Sequence, residues 1–117
     1  IESPAYYALL EVLASLDLRV VEIASTPHDG IDLDRLERVL ARQRIAAVAL
    51  MTNFSNPTGA CMSDSSKRRL MDLLDDHDVP LIEDDVYGDL AFDGRRPKAM
   101  TRLRVAWSAF LASLPPC

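Results

Sequence analysis

The spacing of apolar residues changes several times along the chain, and each spacing predicts a type of secondary structure. Apolar residues that recur every three or four positions predict three amphipathic helices, at residues 4–16, 34–42 and 63–77. Short apolar runs rich in β-branched residues predict strands at residues 18–23, 46–52, 79–83 and 104–108. Because helices and strands alternate with short connections, the pattern predicts an α/β fold in which helices cover a mostly parallel sheet.

Capping and turn-forming residues set the expected ends of these elements. Asp34, with Glu37 three positions later, is close to a capping box and predicts the start of the second helix. Ser63 or Asp64 is expected to cap the third helix, and residues 24–30 are expected to form a loop. The third helix should turn its leucines inward and leave its charged side chains mostly in solvent: Lys67, Arg68, Arg69 and Asp72.

Two of the predicted strands are followed at once by polar residues and turn formers. Residues 46–52 lead into Asn56, which opens the segment Asn-Pro-Thr-Gly. Residues 79–83 lead into Asp84 and, three positions later, Tyr87. In open α/β sheets, ligands lie just beyond the carboxyl ends of the strands. We therefore expect these two strand ends to form one binding site.

The side chains at these strand ends suit a flat ring that carries a basic nitrogen and a phenolic oxygen. The proline after Asn56 restrains the backbone, so the amide could donate to a phenolate or carbonyl oxygen. Tyr87 could donate to a neighbouring anionic oxygen. A buried Asp84 is costly unless it faces a cation, such as a protonated ring nitrogen. Either Tyr6 or Tyr7 could stack on the ring.

Each of these residues also has an ordinary structural interpretation. A single acidic triplet is most often a solvated strand end, and a single Asn56 is most often a turn residue. Tyrosines such as Tyr6 and Tyr7 are more often core or rim residues. The combination of the two strand ends is what favours a ligand site over these alternatives.

Composition narrows the class of function. The 117 residues carry a formal net charge of −5, and the basic residues are spread along the chain, which argues against nucleic-acid binding by this region. No apolar run approaches the length of a membrane span. Cys61 and Cys117 are far apart, so neither a metal site nor a disulfide is predicted, and the cytoplasm is the simplest location.

Four segments resemble the aspartate aminotransferase-like superfamily of pyridoxal-phosphate (PLP) enzymes, the class I and II aminotransferases. The resemblance is closest to the aminotransferase-like domain of MocR-type regulators in the GntR family. The four segments keep the family's order and approximate spacing: residues 2–7 (ESPAYY), 30–33 (GIDL), 56–59 (NPTG) and 82–87 (IEDDVY). The resemblance covers residues 1–98 and implies part of the large PLP-binding domain, with a mostly parallel sheet and flanking helices; residues 99–117 diverge.

The resemblance also implies roles for four residues. Tyr6 would stack on the pyridine ring of PLP, Asn56 and Tyr87 would hydrogen-bond its phenolic oxygen, and Asp84 would keep its ring nitrogen protonated. The family moves an amino group between an amino acid and a 2-oxo acid and usually forms homodimers. Amino-acid-like small molecules are therefore the implied ligands, and no metal is implied.

One departure from the family concerns the lysine that holds PLP as a Schiff base. Residues 108–117 align with the segment that carries this lysine, and Ala112 stands at its position. The chain has only two lysines, Lys67 and Lys98, and neither lies in that segment. We therefore assign no catalytic residue and predict that this chain alone has no transaminase activity.

We expect the chain to be a piece of a larger domain, and three functions remain open. The sequence of residues 53–90 favours the cofactor- or effector-binding domain of a regulator. Such a regulator would bind DNA only through an N-terminal winged-helix domain that is absent here. The alternative is a fragment of a free-standing PLP-dependent aminotransferase. The third is a non-functional remnant that lacks the Schiff-base lysine.

Overall fold

Three helices and five short strands make up the described part of the chain. The computed structural model describes residues 1–100. In chain order the elements are β1 (Glu2–Ser3), α1 (Tyr7–Ser15), β2 (Ile23–Thr26), β3 (Gly30–Ile31), α2 (Leu33–Leu40), β4 (Val48–Leu50), α3 (Asp64–Asp76) and β5 (Leu81–Glu83), followed by a 3₁₀ turn at Gly88–Leu90. No helix in this part of the chain is long and apolar enough to cross a membrane.

The strands form two small sheets. In the first, β1 pairs in parallel with β2, and β2 pairs in antiparallel fashion with β3. In the second, β4 pairs in parallel with β5, and Leu50 stands opposite Glu83 at their carboxyl ends. The crossover connection between these two strands contains α3. The prediction of an α/β fold with mostly parallel pairing is confirmed. The predicted strand at 104–108 lies outside the described residues.

The strand predicted at residues 18–23 lies later in the chain. β2 begins at Ile23, the last residue of the prediction, and continues through what was expected to be a loop. The reason is pairing: Thr26 stands opposite Gly30 in a tight hairpin, and Gly30 has a φ of +75°, a conformation that glycine adopts readily. Leu18 is followed by β-branched residues in the sequence, but it lies outside the strands and is 53% exposed.

The predicted capping box at the start of α2 is wrong. Asp32 caps this helix by accepting a hydrogen bond from the Arg35 backbone nitrogen at 2.8 Å, whereas Asp34 lies in the first turn. Asp34 and Glu37 instead contact Arg69 of α3, with oxygen-to-nitrogen distances of 2.5 and 3.2 Å. An aspartate two positions earlier thus takes the capping role and leaves the expected pair to join two helices.

The core lies between α2, α3 and the β4–β5 pair. Leu36 and Leu70 are 2% and 0% exposed at its centre. Ser63 caps α3, as predicted, by accepting from the Ser66 backbone nitrogen at 3.1 Å. By contrast, none of the residues of α1 is buried. The part of the chain that follows α1 therefore supplies most of the packed interior and holds the strand ends in place.

Candidate functional site

The carboxyl ends of β4 and β5 meet at one edge of the second sheet. The Asp84 backbone nitrogen donates to the Leu50 backbone oxygen at 3.0 Å, which continues the ladder beyond the last pair of the strands. Beside this hydrogen bond, the Thr52 hydroxyl donates to the carboxylate of Glu83, the last residue of β5. Parallel pairing thus places the polar segments that follow both strands side by side.

Asn56 and Tyr87 come together across this edge. The Asn56 side-chain nitrogen donates to the Tyr87 phenol oxygen at 3.3 Å, although the two residues are 31 positions apart. The loop that carries Asn56 is closed by two backbone hydrogen bonds between Ser55, Gly59 and Ala60, of 2.9 and 2.6 Å. Asn56 is therefore presented from a tight, hydrogen-bonded loop.

Tyr6 lies between β1 and α1. It stands at the start of α1, and its ring packs edge-to-face against Tyr7, with 5.1 Å between ring centroids. The adjacent phenol of Tyr7 raises the pKa of Tyr6, and the phenol of Tyr87 adds to this effect. Of the four predicted site residues, Asn56 and Tyr87 are therefore in direct contact, and Tyr6 is linked to Tyr87 through this electrostatic effect.

Asp84 lies at the same sheet edge but is exposed, not buried as its place after an apolar run suggests. One of its carboxylate oxygens accepts a hydrogen bond from the Val86 backbone nitrogen at 3.1 Å. The strand that carries it is only partly covered, since Ile82 is 58% exposed. The carboxylate is therefore accessible to a cationic group of a ligand.

The prediction that Lys67 is solvated is wrong, and the sequence interpretation missed a polar network that includes it. Lys67 is 1% exposed, and its ammonium contacts Asn53, which in turn contacts Asp85. Arg96 pairs with the other oxygen of Asp85 at 2.5 Å. The spacing of Lys67, three positions before the buried Leu70, was the signal that could have placed it on the inner face of α3.

Glu2 is a second buried charged residue that the sequence interpretation did not single out. Its side chain is 5% exposed, and its Oε1 accepts a hydrogen bond from the Met51 backbone nitrogen at 2.9 Å. Burial raises the pKa of Glu2, and the hydrogen bond from Met51 opposes that rise. Glu2, which lies four residues before Tyr6, thereby links β1 to the end of β4.

These groups fit the polar atoms of PLP. The Asn56 amide and the Tyr87 phenol are two donors held next to each other, which suits a phenolate oxygen that accepts both. The exposed Asp84 is an anion, which suits a protonated ring nitrogen. The ring of Tyr6, which is 39% exposed, offers an aromatic face on which a planar ring can stack. These side chains therefore match the phenolic oxygen, the ring nitrogen and the ring face of PLP in charge and type of group.

The fold is that of part of a PLP-dependent aminotransferase. LysN, an α-aminoadipate aminotransferase from Thermus thermophilus solved with N-(5′-phosphopyridoxyl)-L-leucine, superimposes with a TM-score of 0.83 at 29% identity, covering 97% of this chain and 28% of LysN. The PLP-bound C-S lyase from Staphylococcus hominis gives a TM-score of 0.79 at 20% identity, covering 86% of this chain and 26% of the lyase, and shows the same fold.

The chain belongs to the aminotransferase class I and II family, whose model matches residues 1–112. The cofactor of this family is PLP. Residues 101–112 of that match, including Ala112, lie outside the part of the chain that the structure describes.

Curated relatives are of two kinds, regulators and enzymes. Two uncharacterized HTH-type transcriptional regulators of Escherichia coli, YjiR and YdcR, are 38% and 39% identical over 86% and 83% of this chain, respectively. The 2-aminoadipate transaminase of Thermus thermophilus is 29% identical over 88% of it. The chain spans 21% of the length of either regulator and 26% of the transaminase.

Proposed function

We propose that this region forms one side of a PLP site in the cofactor- or effector-binding domain of a MocR-type regulator. The observation that carries the proposal is the hydrogen bond between Asn56 and Tyr87 at the carboxyl ends of two parallel strands. The regulator assignment rests on identities of 38% and 39% to two regulators against 29% to the transaminase.

In this proposal the chain's own groups bind and orient the cofactor. Asn56 and Tyr87 donate to its phenolic oxygen, Asp84 holds a proton at its ring nitrogen, and Tyr6 covers one face of the ring. When bound, PLP supplies an electron sink for the negative charge that develops on the carbon atom bearing the amino group. The proposal includes a cytoplasmic homodimer that recognises amino-acid-like molecules and binds DNA through a separate N-terminal domain.

A free-standing aminotransferase is the second candidate. The TM-score of 0.83 to LysN and the match to the 2-aminoadipate transaminase favour it. The nucleotide sequence upstream of the region distinguishes the two candidates, because only the regulator requires a helix-turn-helix segment there. Ala112 stands where the family's lysine is expected, so we propose that this chain alone does not transfer amino groups. Transfer by the purified chain would overturn that statement.

Mixing the purified chain with PLP tests the site directly. The expected result is weak, non-covalent binding, which changes the absorbance of PLP. Asp84→Ala should abolish this change. Asp93→Ala, which removes another exposed carboxylate, should leave it intact. Borohydride reduction followed by mass mapping should leave the buried Lys67 unlabelled, as non-covalent binding at this site requires. An affinity that does not change in Asp84→Ala would contradict the proposed role of this carboxylate.

A further inference from the structure

A buried cation lies behind the site. Lys67 is 1% exposed and lies on the face of α3 that also carries Leu70 and Leu74. Its ammonium nitrogen donates to Asn53 Oδ1 at 2.5 Å and to the Lys98 backbone oxygen at 2.7 Å. Both acceptors are neutral oxygens. Since a buried charge is costly, the positive charge requires compensation from a group farther away.

Asn53 connects that charge to a carboxylate. Its Oδ1 accepts from Lys67, and its Nδ2 donates to Asp85 Oδ1 at 2.7 Å. Reversing the carboxamide would place its NH₂ group against the ammonium and its oxygen against the carboxylate. Lys67 and Asp85 together therefore permit one orientation of Asn53, and each contact strengthens the other.

Asp85 is the member of this network that belongs to the loop after β5. Its Oδ2 lies 2.5 Å from an Arg96 nitrogen, and its backbone oxygen accepts from the Gly88 nitrogen at 3.1 Å. Asp85 stands between Asp84 and Tyr87 in the chain. Restraining Asp85 from both sides therefore restrains the backbone that carries these two proposed cofactor ligands.

We infer that Lys67 is a positioning residue for the PLP site. Through Asn53 it holds the segment that leads into Asn56, and through Asn53 and Asp85 it holds the loop that carries Tyr87. It is not a covalent ligand in this arrangement, because its amine faces away from solvent and is engaged by two oxygens. The consequence for cofactor affinity rests on the proposed function, whereas the consequence for loop order does not.

Three variants separate this role from general stabilisation. Lys67→Met removes the charge and keeps most of the length, Lys67→Arg keeps a cation, and Arg68→Met removes the same charge from the exposed neighbouring position. The two readouts are hydrogen exchange at the Gly88 backbone amide and the affinity for pyridoxine 5′-phosphate. This alcohol analogue of PLP cannot react with an amine, so its binding is purely non-covalent.

Lys67→Met should accelerate exchange at Gly88 and weaken analogue binding, each by about tenfold, the factor that corresponds to one lost charged hydrogen bond. Lys67→Arg should recover part of both effects, and Arg68→Met should match the wild-type chain. A Lys67→Met variant that matches Arg68→Met in both readouts would overturn the inference. So would a loss of affinity with unchanged exchange, because it would indicate a direct ligand.

A measurement on the wild-type chain keeps the inference testable if Lys67→Met does not fold. The side-chain NH₂ protons of the buried Asn53 should exchange at least about tenfold more slowly than those of the half-buried Asn56. Equal rates would show that the network does not persist and would overturn the inference. A wild-type chain that shows slow Asn53 exchange but does not bind the analogue would overturn the proposed function and leave the positioning role in place.

Discussion

Gly88→Ala is the substitution whose effect on the site loop follows most directly from geometry. A β-carbon at Gly88 would lie 2.7 Å from an Arg96 nitrogen and 2.7 Å from Asp85 Oδ1, whereas ordinary contact begins at 3.4 Å. Both contacts are about 0.7 Å too short, the difference between 3.4 and 2.7 Å, so both side chains must move. Because both members of the Arg96–Asp85 ion pair must move, we expect its 2.5 Å contact to lengthen.

The magnitude follows from the exposure of that ion pair. A hydrogen bond between charged groups contributes about 1.5–3 kcal/mol. The side chains of Arg96 and Asp85 are 30% and 16% exposed, so solvent screening reduces this contribution. We expect Gly88→Ala to lower the free energy of unfolding by about 1–2 kcal/mol, which corresponds to about 4–16 °C in Tm for a domain of this size.

Urea unfolding followed by circular dichroism measures this loss, and a double-mutant comparison identifies its cause. In an Arg96→Ala background, Gly88→Ala should cost less than half of what it costs alone, because one of the two colliding side chains is gone. A Gly88→Ala variant within about 0.3 kcal/mol of the wild-type chain would refute the reasoning. An equal cost in both backgrounds would refute the role given to Arg96.

Three further predictions concern stability. Burial raises the pKa of Glu2 above its ordinary value of 4.5, so the native state retains a proton that the unfolded chain releases. Stability should therefore fall as pH rises from about 4.5 through the raised pKa, and urea titrations of Glu2→Gln across that range should lack this fall. Leu70→Ala should cost about 2–5 kcal/mol in urea unfolding, because the side chain is fully enclosed; a cost below 1 kcal/mol would contradict its place in the core. Ser63→Ala should cost about 1 kcal/mol through loss of the α3 cap, and an unchanged urea midpoint would show that the cap contributes nothing.

Local signals predicted some elements well and misplaced others. α3 lies within one residue of its predicted bounds at each end, because a capping serine and a regular leucine spacing agree. β2 was misplaced because β-branched composition does not decide which residues find a partner strand; the hairpin at Gly30 decides it. Lys67 was assigned to solvent on charge alone, although its spacing from Leu70 indicated the buried face.

The contacts within the site differ in how far they could be foreseen. The proximity of Asn56 and Tyr87 follows from two parallel strands whose carboxyl ends coincide, which the sequence pattern indicates. The position of Tyr6 relative to these two residues depends on how the first sheet lies against the second, and no local pattern encodes that packing. The hydrogen-bond partners of Lys67 are 14 and 31 positions away, so the tertiary structure was needed to identify them, although the helical spacing indicated its burial.

The exposed apolar side chains in and next to α1 have a consequence for handling the protein in solution. Tyr7, Val12 and Leu16 are 67%, 54% and 62% exposed, and Phe92 on the loop after β5 is fully exposed. Apolar surface of this kind drives association in water. We therefore expect the isolated chain to elute at larger apparent sizes as its concentration rises. Dilute samples, rather than concentrated ones, are the condition in which its ligand affinity reflects a single copy.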